Sequence, residues 1–219
     1  MITISAHEAD EIVRIQPAAS VVVVENPFCG REPDALDVPT SGLKPSGRRR
    51  KVWLVGRLSN KQKNLQGFIK FCDYAPGNFS INLVGDDTLE VLSERTERKI
   101  ETFGWVASPV SLVHDGPIVI PSLYEGVPLV LLEAYTHNVP VLVSDIPELS
   151  QFVVRECVFD FDDLSKANCE RFTEIVQKIG SGSFISRDEW ATDYLRQYGF
   201  RNAHEWVSRM EAEIFRLRY

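Results

Sequence analysis

Short apolar runs alternate with segments of helical spacing along most of this chain. The runs have the length and composition of buried strands and lie at 51–55, 81–84, 102–106, 117–121, 138–145 and 157–159. Helices are predicted at 65–74, at 88–99, from 128, and at 146–149, 166–179, 187–198 and 202–217. This alternation predicts an α/β fold with a doubly wound parallel sheet, whose ligands bind at the carboxyl ends of the strands.

The N-terminal segment repeats the alternation on a smaller scale. A strand is predicted at Ile2–Ile4, a helix at about Ala6–Ile15 and a second strand at Val21–Val24. Ser5 and Glu8 have the three-residue spacing of a capping box at the start of that helix. The segment is therefore predicted to be a short strand-helix-strand unit.

The size, apolar content and net charge of the chain exclude some classes of protein. At 219 residues and 44% apolar, the chain can bury one substantial core. Its net charge of −7 argues against a nucleic-acid partner and against a protein held on a membrane by charge alone. The exception is the basic run 48–51, which we interpret as a solvated loop flanking a strand rather than a polyanion site.

The cysteines and apolar runs indicate a reduced, cytoplasmic protein. Cys29, Cys72, Cys157 and Cys169 lie far apart, with no Cys-x-x-Cys pair and no histidine at ligand spacing. Neither a metal site nor a disulfide framework is expected. No apolar run approaches the length of a membrane span, and the N-terminus lacks the layout of a signal peptide.

The segment Ser122–Ala134 carries the most specific pattern in the chain. Glu125 and Glu133 are its two charges, separated by seven residues. On a helix Glu133 would lie roughly 7 to 8 Å from Pro128, among apolar residues. A carboxylate in such surroundings is costly without a partner, and ribose hydroxyls would supply one. The alternative makes Glu133 a structural ion-pair member and Glu125 a turn residue.

A helix is predicted to begin directly after the first of these glutamates. A proline loses no hydrogen bond at the first helical position, which places the start at Pro128. The backbone N–H groups of Val127, Leu129 and Val130, after the turn at Gly126, would then be unpaired within the helix. Together with the helix dipole they predict an anion site suited to phosphate.

The two glutamates, in the context Pro-Ser-Leu-Tyr-Glu-Gly-Val-Pro-Leu-Val-Leu-Leu-Glu-Ala, resemble the donor-site signature of the family 4 retaining glycosyltransferases. Those enzymes have the GT-B fold of two Rossmann-like domains, of which the C-terminal one holds a nucleotide-sugar. The resemblance implies that this chain is the donor domain of an enzyme that transfers a hexosyl group, with retention, to a glycan, lipid or small-molecule acceptor. Polysaccharide or glycoconjugate biosynthesis is the implied role. Glu133 would hold the ribose, and Glu125 the hydroxyls of the transferred sugar.

The same resemblance assigns two cations to the diphosphate. In this family a glycine-arginine pair ends the first strand of the donor domain, and a lysine follows five or six positions later. Arg57 and Lys63 match the longer spacing, although Lys61 competes for the second role. Fixed cations stabilise the charge of a departing nucleoside diphosphate. The family generally needs no metal, and none is expected here. The alternative is that these loop cations are simply solvated.

The base is expected near the end of the strand predicted at 102–106, because this strand exit lies along the base in the family. Trp105 would offer a stacking face and Val106 its backbone polar groups. The alternative places Trp105 in the core. Asp115 lies one position earlier than the acidic residue of the family pattern, which leaves that rim of the site undefined.

The resemblance also divides the chain into parts. Residues 1–29 would be the end of an N-terminal domain, 30–50 a linker, 51–182 the Rossmann-like nucleotide-sugar-binding domain and 183–219 C-terminal helices. The chain would then be a fragment or a naturally short protein. Its partners would be a nucleoside diphosphate sugar, an acceptor glycan or lipid-linked sugar, and an acceptor-binding domain or protein. That missing half would bring it to the inner face of the membrane. The alternative is a non-catalytic nucleotide-sugar-binding module or a scaffold.

Overall fold

A computed structural model describes residues 2–3, 6–23, 50–58, 61–85, 96–184, 186–193, 195 and 212 of the protein. Near the N-terminus, β1 (Ile2–Thr3) and β2 (Val22–Val23) pair in parallel, with α1 (Ala6–Ile15) between them along the chain. The predicted strand-helix-strand unit is thus confirmed. Ser5 and the side chain of Glu8 lie outside the described part, so the capping box stays a prediction.

The main body is a sheet of six strands in its described part, and neighbouring strands are parallel throughout. The strands are β3 (Arg50–Gly56), β4 (Phe79–Gly85), β5 (Ile100–Thr102), β6 (Ile118–Ile120), β7 (Val141–Ser144) and β8 (Val158–Phe159). Their order across the sheet is β5-β4-β3-β6-β7-β8. This topology confirms the predicted doubly wound α/β fold.

Helices lie between these strands along the chain and also follow the last of them. They are α2 (Leu65–Tyr74), α3 (Leu129–Thr136), α4 (Pro147–Ser150), α5 (Lys166–Gly180) and α6 (Arg187–Trp190), with 3-10 turns at Lys61–Lys63, Pro109–Leu112 and Arg155–Cys157. The helix predicted at 187–198 is interrupted in the structure, because α6 ends at Trp190 and the described residues Asp193 and Leu195 are helical again. Ala191 leaves it to form an antiparallel bridge with Val153, directly after the buried Trp190. The helix predicted at 202–217 lies outside the described part, except for Ala212.

The strand predicted at 102–106 begins and ends earlier than expected. Its ladder with β4 ends where the Phe103 N–H donates to the Leu83 carbonyl at 2.8 Å. The Gly104 carbonyl still accepts from the Gly85 N–H at 2.8 Å, but Gly104 adopts a φ of +62°, which ends the regular strand. Trp105 and Val106 therefore lie beyond β5 rather than within it.

The helix predicted at 88–99 is wrong for its last four residues, and the rest of it lies outside the described part. The guanidinium of Arg98 donates to the carbonyl of Cys72 at 2.8 Å and to that of Gly77 at 2.6 Å. It also lies over the ring of Phe79, 4.3 Å from the centroid. These contacts tie the segment to the turn after α2 in an irregular conformation.

One face of the sheet is covered by an aromatic cluster from α2, α5 and the strands beneath them. Its rings meet edge to face at centroid distances of 5.2 to 6.1 Å, apart from one stacked pair. The members are Phe68, Phe71, Phe79, Phe159, Phe161 and Phe172. Edge-to-face pairs contribute about 0.5–1.5 kcal/mol each beyond the burial of area. This cluster packs α2 and α5 against the strands beneath them.

The cysteines in the described part are buried and free. Burial raises the pKa of the Cys157 thiol to about 12. Such a thiol is a poor nucleophile at neutral pH. Cys29 lies outside the described residues.

In the described part of the chain, no helix has the length and apolar character needed to cross a bilayer.

The order of the strands creates a crevice beside β3. The chain runs outward from β3 to β4 and β5, then returns to the other side of β3 with β6. The crossovers on the two sides therefore diverge at the carboxyl ends of β3 and β6, which is where ligands bind in open α/β sheets. The segments that leave these two strands begin at Arg57 and Pro121.

Candidate functional site

Lys63 and Glu125 meet across this crevice. Lys63 ends the 3-10 turn after β3, and Glu125 lies in the loop after β6. The Lys63 Nζ is 2.5 Å from the Glu125 Oε1, and the two side chains are 19% and 7% exposed. An ion pair with so little exposure is screened much less than a surface pair. The structure thus brings together two of the predicted site residues.

The loop that carries Glu125 is further held by hydrogen bonds. The buried Ser122 hydroxyl donates to Glu125 Oε1 at 2.6 Å. The Gln62 amide donates to the Tyr124 carbonyl at 2.8 Å and to Glu125 Oε2 at 3.3 Å. Sequence reasoning missed both Gln62 and Ser122, because a side chain that acts through one or two hydrogen bonds leaves no pattern along the chain.

The helix after this loop begins one residue later than predicted. Pro128 is its N-cap, with an extended ψ of 121°, and the first helical residue is Leu129. Within the described part of the chain, the backbone N–H groups of Val127, Leu129 and Val130 donate to no acceptor. Leu131 and other apolar residues bury the inner side of the helix completely. Hence α3 is firmly seated, and its positive end is available to an anion.

Glu133 is half-buried on α3, about one turn from the first helical residue. Burial raises the pKa of its carboxyl group, and the nearby His137 partly opposes that rise. Among the described residues, no side chain forms a salt bridge or hydrogen bond with this carboxylate. The alternative of a structural ion pair therefore finds no partner there.

Arg57 lies on the opposite side of β3, at a cavity of about 360 Å³. Its lining includes Gly56, Arg57, Gly85, Trp105, Val106 and Pro109. Trp105 is 79% exposed, so its placement in the core is wrong. The structure therefore groups Arg57 with the two residues predicted to contact a base.

The floor of this cavity requires glycine. Gly56 and Gly85 are paired in register at the ends of β3 and β4. A Cβ added to Gly85 would lie 1.8 Å from the Gly56 carbonyl oxygen, far inside van der Waals contact. The close approach of these backbones keeps the cavity open to the strand ends.

Asp115, whose role the sequence left undefined, is a structural residue. It is 5% exposed and accepts a hydrogen bond from the Trp53 indole at 3.0 Å. The Lys51 ammonium is also 3.0 Å from its other oxygen. Asp115 therefore satisfies two buried or half-buried donors of β3 beneath the site.

Lys63 is the lysine that faces the crevice, whereas Lys61 is exposed to solvent. In the part of the chain that the structure describes, no group of three or more His, Cys, Asp or Glu is arranged to hold a metal ion. The polar groups at the strand ends are instead two cations, two carboxylates and free backbone donors. Such a set suits a ligand that carries both phosphate and hydroxyl groups.

Comparison with known families agrees with this reading of the fold. Residues 49–178 match the family model described as glycosyl transferases group 1, which is more than half of the chain. The chain belongs to this family, and its fold is that of a GT-B glycosyltransferase domain.

Individual relatives are more distant. The "Uncharacterized 41.2 kDa protein in cps region" of Klebsiella pneumoniae is 27% identical over 124 residues, which cover 52% of this chain and 34% of that protein. The apo form of the lipopolysaccharide outer core galactosyltransferase WaaB superposes with a TM-score of 0.59 at 17% identity, over 98% of this chain and 61% of that one. The pneumococcal O-GlcNAc transferase GtfA, in complex with UDP and GlcNAc, superposes with a TM-score of 0.65 at 16% sequence identity. The match covers 100% of this chain and 45% of that one. The chain thus spans between about a third and three fifths of these proteins.

Proposed function

We propose that the chain is the donor-binding part of a retaining glycosyltransferase that transfers a hexosyl group from a nucleoside diphosphate sugar. The observation that carries this proposal is the meeting of Lys63 and Glu125 at the crevice beside β3. A cation for phosphate and a carboxylate for sugar hydroxyls stand there together, beside the free N–H groups of α3. Membership of the group 1 glycosyl transferases supports the transferase class.

In this proposal, different residues bind the diphosphate and the ribose of the donor. The N–H groups of Leu129 and Val130 and the cations of Arg57 and Lys63 bind the diphosphate. Glu133, which has no hydrogen-bond donor to its carboxylate among the described side chains, accepts bonds from the ribose hydroxyls. Ribose hydroxyls offset the cost of holding that charge in a half-buried position.

The base lies against Trp105 and the backbone of Val106 in this arrangement. Both residues line the cavity next to Arg57, and the indole of Trp105 is exposed enough for stacking. Stacking on an aromatic side chain tolerates any base, so it gives affinity without selecting one.

The transfer itself follows from these positions. The bond between the sugar C1 and the diphosphate oxygen breaks while a bond from the acceptor oxygen to C1 forms on the same face. The acceptor proton passes to the departing phosphate oxygen. Arg57, Lys63 and the helix start stabilise the charge that develops on the diphosphate, and Glu125 holds the sugar hydroxyls. No metal ion is proposed at this site, because Arg57, Lys63 and the helix start already supply positive charge to the diphosphate.

The relatives suggest the wider role. One matching protein is named for a cps region and another for the lipopolysaccharide outer core, which supports polysaccharide or glycoconjugate biosynthesis. The structure of a third contains UDP and GlcNAc, which supports a nucleotide-sugar donor. A glycan, a lipid-linked sugar or a small molecule is the proposed acceptor. Because the chain spans only part of these proteins, the acceptor is proposed to bind a separate domain or protein, at the inner face of the membrane.

A second candidate is a module that binds a nucleotide-sugar but does not transfer the sugar alone. The environment of Glu125 favours this second candidate. The carboxylate is paired with Lys63 and its side chain is only 7% exposed, so it is not free to contact a sugar. Donor and candidate acceptors, supplied with and without a cognate acceptor-binding domain, separate the two candidates. Transfer by the chain alone would contradict the second.

Calorimetric titration with UDP, GDP and ADP tests the proposal, with inorganic pyrophosphate as the matched ligand that lacks ribose and base. We expect at least one nucleotide to bind more tightly than pyrophosphate. No binding of any nucleotide at millimolar concentration would overturn the proposal and favour a scaffold that only retains the fold.

A further inference from the structure

Gln62 is joined to the loop after β6 by three hydrogen bonds. Its side-chain amide donates to the Tyr124 carbonyl at 2.8 Å and to Glu125 Oε2 at 3.3 Å. Its own carbonyl accepts from the Leu123 N–H at 2.8 Å. Gln62 therefore links the segment after β3 to the loop after β6, directly beside Lys63.

The contacts of Glu125 divide its two carboxylate oxygens between different donors. Oε1 receives the Lys63 ammonium at 2.5 Å and the Ser122 hydroxyl at 2.6 Å. Oε2 receives the Gln62 amide. Because one neutral donor lies on each oxygen, Ser122 and Gln62 together fix both the position and the rotation of the carboxylate plane.

Binding of a diphosphate changes this balance. In the proposed function Lys63 binds the phosphates, so its ammonium group no longer pairs with Glu125 alone. The carboxylate then depends on Ser122 and Gln62 for its orientation toward the sugar. Of these two, Gln62 is the one that lies on the opposite side of the crevice from Glu125.

We propose that Gln62 is a positioning residue that orients Glu125 toward the hydroxyls of the transferred sugar. It thereby favours a sugar-bearing nucleoside diphosphate over the bare diphosphate. This inference rests on the proposed function, and it adds a specificity-determining residue to that site.

The test is calorimetry on the whole chain with the tightest-binding member of UDP, GDP and ADP, and with the glucose and galactose conjugates of that nucleotide. Gln62→Met keeps the length of the side chain and the backbone bond to Leu123 but removes the amide donor. We expect its Kd for the sugar conjugate to rise about tenfold, which is roughly 1.4 kcal/mol. Its Kd for the bare diphosphate should change less than about twofold, because the proposed phosphate and ribose contacts remain. Gln66→Met, on the exposed side of α2, is the matched control.

The outcomes separate this inference from the proposed function. If the wild type binds no nucleotide, both are overturned. If the wild type binds both ligands and Gln62→Met weakens both equally, or neither, only the role of Gln62 is overturned. Thermal unfolding checks that the variant is folded. If it is not, Gln62→Asn serves instead, because the shorter side chain keeps the amide but withdraws it from Glu125 Oε2 without adding a charge beside Lys63. It should weaken sugar-conjugate binding selectively, and an equal loss for the bare diphosphate overturns the role.

Discussion

The Nζ of Lys63 lies 2.5 Å from the Oε1 of Glu125, and 62 residues separate the two along the chain. Each neutralises the other at a place where both are nearly closed off from solvent. The charges proposed to bind phosphate and sugar are thus paired with each other. A diphosphate has to compete with Glu125 for the Lys63 ammonium, so the contribution of Lys63 to diphosphate binding can be tested by substitution.

Lys63→Met should weaken binding of a nucleoside diphosphate by about tenfold or more, because it removes a charge-assisted contact. It should also lower the free energy of unfolding by about 1–3 kcal/mol, since Glu125 loses its charged partner. Calorimetry and denaturant unfolding measure the two effects. Lys61→Met is the control. If it lost as much affinity for the nucleoside diphosphate as Lys63→Met, the assignment of the diphosphate contact to Lys63 would be wrong.

Glu133→Gln should weaken binding of a nucleoside diphosphate about tenfold while leaving pyrophosphate within about twofold, because only the nucleotide brings ribose hydroxyls to the carboxylate. Competition titrations with the two ligands measure the ratio. Equal losses for both ligands would remove Glu133 from the ribose role.

The same substitution should change the pH dependence of stability. Burial raises the pKa of Glu133, so the ionised carboxylate destabilises the folded state at neutral pH. Glu133→Gln should therefore raise the free energy of unfolding at pH 7. The gain should shrink as the pH falls through the raised pKa, where the wild-type carboxyl becomes neutral. Urea unfolding of both proteins between pH 7 and pH 4 measures this difference, and a gain that grows with acidity would contradict it.

Trp105→Ala should weaken nucleotide binding by about 1–3 kcal/mol, the contribution of stacking one base on an aromatic ring. Its stability should hardly change, because the indole is 79% exposed. Tyr74→Ala is the matched control, since Tyr74 is 60% exposed at the end of α2. Unchanged nucleotide affinity in Trp105→Ala would show that the base binds elsewhere.

Asp115→Ala should lower the free energy of unfolding by about 2 kcal/mol, because it leaves the buried Trp53 indole N–H without its acceptor. Nucleotide affinity should stay within about twofold, since Asp115 serves the strands and not the ligand. Denaturant unfolding and calorimetry on the same preparation distinguish the two roles. A selective loss of nucleotide affinity would return Asp115 to the site.

Most of the fold was predictable because buried strands and amphipathic helices leave periodic signals. The positions of Lys63 and Glu125 at one sheet edge followed from the same strands. The strand predicted at 102–106 was misplaced because of the conformation of Gly104. The break in the helix predicted at 187–198 was missed because it depends on the distant bridge from Ala191 to Val153. Such tertiary contacts override local propensity and have no periodic signature.

The finer arrangement of the site was less predictable. The donor residues were found through a motif, whereas Gln62 and Ser122 act through single hydrogen bonds that only the folded geometry defines. The helix start was one residue off because Pro128 tolerates both the N-cap and the first helical position. Side-chain pairing across a crevice is set by the packing of whole strands, and spacing along the chain does not encode it.

The carbonyl of Gly56 lies so close to position 85 that even a methyl group cannot fit there. Replacement of Gly85 by any other residue therefore requires β3 and β4 to separate at their ends. That movement would shift Arg57, which directly follows β3, and would change the cavity that Gly85 and Trp105 line together. A residue with no functional group thus controls the geometry of the groups on either side of it.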